Sequence, residues 1–249
     1  MKLIHTAIVF DRANLGRSEG WAMTFRRYSG VIRRMVNPPG ASTFRIRPKT
    51  KKLDSRGRWT GQWHRNGVSP IKDKFFAAMA HEDWKAEHPL SLDSYFQTCG
   101  TLQPLLTYPD LTPFPEKLHS SIGDFDFAYE TDSGFRAVVE WETGNISSSH
   151  RSLNKMCLAL MANLTDAGVL IVPSRALYPH LTDRIGNWQE LCPYLAFWQA
   201  VGNRIIDRGL LAISVVEHDE LVSDGSVPYI RHGIDGRSAE GQAKANGSS

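Results

Sequence analysis

Three cysteines in 249 residues, Cys99, Cys157 and Cys192, are too few and too irregularly spaced for a disulfide framework or a zinc site. Two of them stand in apolar helical runs, which predicts free, buried thiols in a reducing compartment. No apolar run approaches the roughly 20 residues that cross a bilayer, so no membrane partner is expected. The first residues, Met1-Lys2-Leu3-Ile4-His5, are too polar for a secretory leader. These absences together predict a cytoplasmic protein. A large charge of one sign is also missing, since the formal net charge is only +3; that permits nucleic-acid binding without requiring it. There is no internal repeat, which excludes solenoids and propellers. No shift of composition divides the chain, so a single domain over 1–249 is expected.

What the sequence does have is enough apolar material for a core, 41% of residues, and one informative stretch, Val138 to Lys155. Its first part reads as a strand. Strand side chains alternate, so Glu140 and Glu142 point the same way. Thr143-Gly144-Asn145 is turn chemistry. From Ile146 the apolar residues Ile146, Leu153, Met156, Leu160 and Leu164 fall on one helical face. Asn145, Ser147 and Arg151 then cluster at a helix start, where free N–H groups favour anions. A pair of acids followed by such donors suits a divalent cation beside a phosphodiester. The plain alternative is a Glu-x-Glu pair on an exposed sheet face with no role.

Upstream, Ala7-Ile8-Val9-Phe10 is a short apolar run, and the spacing predicts a helix over Gly20 to Met35, closed by Asn37-Pro38-Pro39-Gly40. A basic insertion follows at 49–65, with Trp59 and Trp63 among its cations. It is either a solvated hairpin or a flap on a phosphate backbone. Pro70 opens a helix expected to run through Trp84 to about Glu87. Residues 90–122 read as a long loop. Asp124 to Glu130 and Phe135 to Glu142 alternate about Thr131-Asp132-Ser133-Gly134 as a hairpin able to gather three or four carboxylates. Gly168 to Pro173 and Leu210 to Val216 read as strands buried on both faces. Asp183 to about Ala200 reads as a helix that Pro193 bends or divides, with Thr182-Asp183 at its cap. Residues 238–249 are expected to be a disordered tail. The order of elements predicts an α/β fold, a central mixed β-sheet flanked by helices on both faces.

The run from Glu140 to Lys155 resembles the active-site and recognition segment of the BamHI family of type II restriction endonucleases. Leu181-Thr182-Asp183-Arg184-Ile185-Gly186-Asn187, Asn66 to Lys72, Glu87-His88-Pro89-Leu90 and Gly233-Ile234-Asp235-Gly236 resemble further family segments in the same order. The resemblance covers roughly 66 to 238; residues 1–19 find no counterpart. It implies a restriction-endonuclease-like fold of the PD-(D/E)XK superfamily, with Glu142 where most members carry lysine. It implies metal ligation by Asp126, Glu140 and Glu87, with Glu142 as general base and Asp124 as an alternative to Asp126. The cofactor implied is Mg²⁺, two ions per site. The implied DNA contacts are Asn145 and Ser147 at central A·T pairs and Arg151, Asp183 and Arg184 at G·C pairs, with Lys72, Gly233, Asp235 and Arg237 beside them. Such side chains match base edges chemically: asparagine to adenine, arginine to guanine, aspartate to cytosine. The implied target is double-stranded DNA at GGATCC, cut after the first G. The implied partners are a second copy of the chain and a cognate DNA methyltransferase. A competing expectation is a sequence-specific DNA-binding protein that does not cut.

Overall fold

The computed structural model describes residues 1–95, 106–113, 121–182 and 184–231. Cys99, Asp183, Gly233, Asp235, Arg237 and the tail expected at 238–249 lie outside the described residues, as does part of the 90–122 stretch.

Six strands form the central sheet: β1 (Lys2–Arg12), β5 (Lys85–Ser91), β8 (Ser121–Glu130), β9 (Arg136–Trp141), β10 (Ala167–Pro173) and β11 (Gly209–Glu217). Their order is β1-β11-β10-β9-β8-β5. The central pairs β9–β10 and β10–β11 are parallel, and the outer pairs are antiparallel. The sheet is therefore mixed, as expected. Every residue of β10 is buried, which explains its unbroken apolar sequence: helices cover both faces of a parallel pair.

Two layers do the covering. On one face, α1 (Glu19–Arg34) and α2 (Ser69–Met79) pack Tyr28, Ile32, Phe75 and Met79 against Val139, Trp141 and Val169. On the other, α3 (Ile146–Met161) packs Leu153, Met156 and Leu160 against Val138, Leu170 and Val172. The apolar stripe of α3 is thus largely core. Ser18 caps α1 by accepting from the Trp21 N–H. At the far end of α3, Asn163 takes the left-handed conformation, and the Leu164 N–H closes back onto the Ala159 carbonyl. The helix consequently stops before Leu164.

Three sequence expectations change. The α2 helix ends at Met79, and Lys85–Ser91 is a strand, not a helical tail. An edge strand leaves one row of N–H groups outside the ladder, so Pro89 is tolerated there. The helix expected from Asp183 starts at α4 (Trp188–Leu191), with Asn187 as its N-cap accepting from the Glu190 N–H. Pro193 sits in a 3₁₀ turn that separates α4 from α5 (Leu195–Ile205), so the chain divides where proline removes a donor. Cys157 is buried and its thiol is pushed up to about 12 by that burial, but Cys192 is exposed. It stands in the 3₁₀ turn, outside any packed helical face.

The insertion at 49–65 is a two-stranded hairpin, β3 (Thr50–Leu53) against β4 (Trp59–His64). The short β2 (Arg45–Ile46) pairs with β12 (Glu220–Leu221), and β6 (Leu106–Thr107) with β7 (Thr112–Pro113). Among the described residues, no helix is long and apolar enough to cross a membrane.

Candidate active site

The β8–β9 hairpin and the start of α3 bring the predicted acids to one end of the sheet. Thr131 to Gly134 makes the hairpin turn, with Gly134 at φ 79°. The ladder pairs Phe127 with Val139 and goes no further toward Trp141. Beyond it, the Asp126 carboxylate takes over: its Oδ2 accepts from the Trp141 N–H at 2.8 Å. Its Oδ1 accepts from Lys72 Nζ at 2.9 Å. Lys72 comes from α2, so Asp126 is held from the α2 layer. Glu140, which alternates away from Val139 and Trp141 on the α2 face, is held by Lys155 of α3. That ammonium also donates to the Asp124 carbonyl and lies over the Phe125 ring at 4.3 Å. Asp124 itself is exposed.

Glu142 lies one residue past β9. Its N–H bonds the Ile171 carbonyl, so the backbone remains tied to the sheet. The side chain is 5% exposed. Oε1 accepts from the Gly144 N–H at 2.6 Å. Oε2 is buried with no hydrogen-bond partner, and so is the neighbouring Ser149 Oγ. Burial, reinforced by the charge of Glu140, pushes the carboxyl up to about 7. The Ser149 hydroxyl and the Gly144 and Thr143 backbone oppose that shift. Ser149 Oγ is close enough to favour the anion without completing a hydrogen bond.

Among the described residues, no three acidic or imidazole side chains converge on one point. The expected cluster of three or four carboxylates is therefore separated here into Asp126 with Lys72, Glu140 with Lys155, and Glu142 alone. Glu87 is exposed on β5, at φ 48°, where the ladder passes from Ala86–Phe127 to His88–Phe125.

The donors stand next to these acids. Asn145 caps α3, its Oδ1 accepting from the Ser147 and Ser148 N–H groups at 3.0 and 3.3 Å. Asn145, Ser147 and Arg151 are exposed. Ser147, Arg151, Asn154 and Lys155 line a cleft of about 590 Å³ with Ile122 and Tyr194. Arg184 is also exposed. Its segment is tied to the α3 start by a hydrogen bond from the Gly186 N–H to the Gly144 carbonyl. Gly186 is required there, because a Cβ would fall 2.0 Å from Ser149 Oγ and 3.3 Å from the Ile146 backbone.

Sequence reasoning assigned no role to Lys155 or Ser149. The available signal was position: Ser149 falls on the inward stripe of α3, and Lys155 adjoins buried Met156 on the side facing the strand ends.

Comparison with known proteins identifies the family. The family model described as "Restriction endonuclease BamHI" matches residues 1–237. The match includes the first 19 residues, which build β1 and the approach to α1. The type II restriction enzyme OkrAI of Oceanobacter kriegii is 33% identical over 224 residues, 90% of this chain and 93% of that protein. The type II restriction enzyme BamHI of Bacillus amyloliquefaciens is 30% identical over 174 residues, 70% of this chain and 68% of that protein. In fold, the chain is similar to restriction endonuclease BglII, solved in complex with a DNA 16-mer, with a TM-score of 0.54 at 10% identity. That likeness covers 88% of this chain and 79% of the other. With the family model spanning nearly all of the sequence, the chain belongs to the BamHI family of restriction endonucleases.

Proposed function

We propose that this endonuclease acts as a homodimer on double-stranded DNA, cuts the palindrome GGATCC after its first G, and uses Mg²⁺. The observation that carries the reading is the β9–α3 junction. Two buried glutamates end a strand there, and an exposed helix N-terminus bearing Asn145, Ser147 and Arg151 begins within five residues. Acids beside a polyanion are repulsive unless chemistry needs them.

Asp126, Glu140 and Glu87 would hold the metal. Their oxygen donors fit a hard cation. Mg²⁺ is commonly bound by one or two carboxylates, with water and substrate phosphate completing the shell, so separated acids are compatible with it. The buried Glu142 Oε2 has no hydrogen-bond partner, which leaves it available to accept a proton. When bound, the metal supplies charge for the developing transition state and favours ionisation of water. The chain's own groups do the rest. Glu142 accepts the proton of the attacking water at Oε2; the water oxygen bonds to phosphorus as the P–O3′ bond breaks, and the departing 3′-oxygen takes a proton from solvent, leaving 5′-phosphate and 3′-hydroxyl ends. Lys72 and Lys155 hold the Asp126 and Glu140 carboxylates in place at the sheet end.

Recognition follows from donor chemistry. Asn145 and Ser147 serve the central A·T pairs, and Arg151, Asp183 and Arg184 the G·C pairs, with Lys72, Gly233, Asp235 and Arg237 adding contacts. A palindrome read by one set of side chains calls for a two-fold dimer. A host carrying such an enzyme also needs a methyltransferase of the same specificity.

The test is digestion of a plasmid with one GGATCC site, in Mg²⁺ and in EDTA, followed by sequencing of the ends. A single Mg²⁺-dependent cut with four-base 5′ overhangs is expected. Cutting at another sequence overturns the base contacts, and specific binding without any cut overturns the catalytic roles.

Asn145 carries two tasks, and they can be separated. Its Oδ1 is already used twice in the cap, which leaves the amide N–H groups to face a base. Asn145→Asp keeps the cap oxygen and removes those donors. It is expected to lose about 1–3 kcal/mol of discrimination at the A·T pairs with the melting temperature unchanged. Asn145→Ala is expected to lose the discrimination and about 1 kcal/mol of stability as well. Unchanged site preference in both variants would remove Asn145 from the readout.

A further inference from the structure

Residues 49–65 hold six cations, Lys49, Lys51, Lys52, Arg56, Arg58 and Arg65, against one acid, Asp54. That is +5 in a chain whose total is +3, so everything outside the hairpin is at −2. A surface loop selected only for solubility has no need to hold all of a protein's excess charge. The hairpin is also built to keep its shape while standing in solvent. Asp54 accepts from the Arg56 and Arg58 N–H groups through Oδ1 and from Arg58 Nε through Oδ2, which fixes the tip. Gly57 supplies the left-handed turn residue at φ 73°.

Its two faces differ. Thr50 and His64 are opposite one another in the register and share a face. Thr50 Oγ1 and the Tyr229 hydroxyl are hydrogen-bonded at 2.6 Å, and the His64 ring stacks on Tyr229. The other face presents Lys49 over Trp63 at 4.0 Å and Lys51 over Trp59 at 5.5 Å, with the two indoles edge to face. Trp59 is 51% exposed. Indoles stiffen the lysine stems without neutralising them, leaving charges that are ordered and free to meet an anion.

The base of the hairpin adjoins the second recognition segment. Lys49 N–H donates to His180 Nδ1, Asn66 N–H to the His180 carbonyl, and Arg65 Nη1 to the Thr182 carbonyl. Gly67 N–H bonds the Ile230 carbonyl, at the root of the C-terminal segment.

From the charge, the ordered face and this anchorage, we propose that the 49–65 hairpin is an arm that binds the phosphate backbone of duplex DNA outside the six-base site. The inference rests on the DNA-cleaving reading above. The arm contributes affinity and register without base information, as phosphate contacts do.

The test compares the wild type with Lys51→Gln/Lys52→Gln/Arg56→Gln on two duplexes centred on GGATCC, one of 12 and one of 30 base pairs. Each phosphate contact contributes about 0.9 to the slope of log affinity against log salt. On the long duplex the variant is expected to bind at least about tenfold more weakly, with a slope shallower by about 2–3. On the short duplex it should match the wild type, and cleavage at saturating DNA should be unchanged on both. Equal slopes on the long duplex overturn the proposal. Equal losses on both duplexes also overturn it, because the arm would then act within the site. Failure of the wild type to bind or cut either duplex selectively is a different result, and it sinks the underlying reading instead.

Discussion

Glu142→Gln is expected to abolish cleavage, by a factor on the order of 10³, and to make the metal-free protein more stable above neutral pH by roughly 3 kcal/mol. Both effects have one cause. The folded protein holds the Glu142 proton up to a pH of about 7, against an ordinary value of 4.5, because the carboxyl is buried. Between those values the folded state binds more protons than the unfolded state, so stability falls as pH rises. It is fully present below about 4.5, declines through the interval, and stays reduced above about 7. Glutamine has no charge to bury. Its amide oxygen can still accept from the Gly144 N–H, and its amide N–H groups can donate toward Ser149 Oγ, which now lacks a partner. Urea unfolding in EDTA at pH 5 and pH 8 measures this. The wild type should lose stability between the two, and the variant should lose less by roughly 3 kcal/mol. Parallel behaviour would mean that Glu142 is not a buried, reluctantly ionised acid. A gel shift on GGATCC duplex should show binding retained, and loss of binding together with cleavage would sink the assignment of Glu142 to the chemistry.

The centre of this molecule was easier to read than its margins. The strands Ala167–Pro173 and Gly209–Glu217 are buried on both faces and announce themselves as unbroken apolar runs. In the hairpin, the strand carrying Asp126 alternates buried and more exposed residues, whereas the strand carrying Glu140 is buried from Ala137 to Trp141. Both sheet edges were obscure for the same physical reason. An edge strand meets solvent, so β1 contains His5 and Thr6, and β5 contains Glu87, His88 and Pro89. Neither has a clean period. In the site, Glu140 and Glu142 were legible from their spacing, and Asn145 from its position before an apolar helix. Their partners were not. Lys72 and Lys155 reach the acids from opposite layers, and that convergence exists only once the sheet separates α2 from α3. Arg184 was legible only through family resemblance, since nothing in its local pattern says that Gly186 will be tied to Gly144.

The pairing of Lys155 with Glu140 makes a second strong prediction. Side-chain exposure is 13% for the lysine and 10% for the glutamate. Removing one member of such a pair leaves the other charge with little water and little compensation. Glu140→Ala is expected to abolish cleavage and to cost about 2–4 kcal/mol of stability, because Lys155 then keeps only the Asp124 carbonyl and the Phe125 ring face, neither of which is an anion. Glu140→Ala/Lys155→Met should recover most of the stability and none of the cleavage. A double variant as unstable as the single one would mean that the loss comes from packing and not from the stranded ammonium. Lys155→Met alone separates pairing from metal binding. It strands the Glu140 carboxylate, so the metal-free protein should melt lower than the wild type. If Glu140 holds the cation, Mg²⁺ has no competing ammonium in this variant, and any ion that binds only the folded state stabilises it by mass action. Mg²⁺ should therefore raise the melting temperature of Lys155→Met by more than it raises that of the wild type, and should do nothing for Glu140→Ala/Lys155→Met. Equal responses in all three proteins would place the cation elsewhere and leave Glu140 and Lys155 as a structural pair.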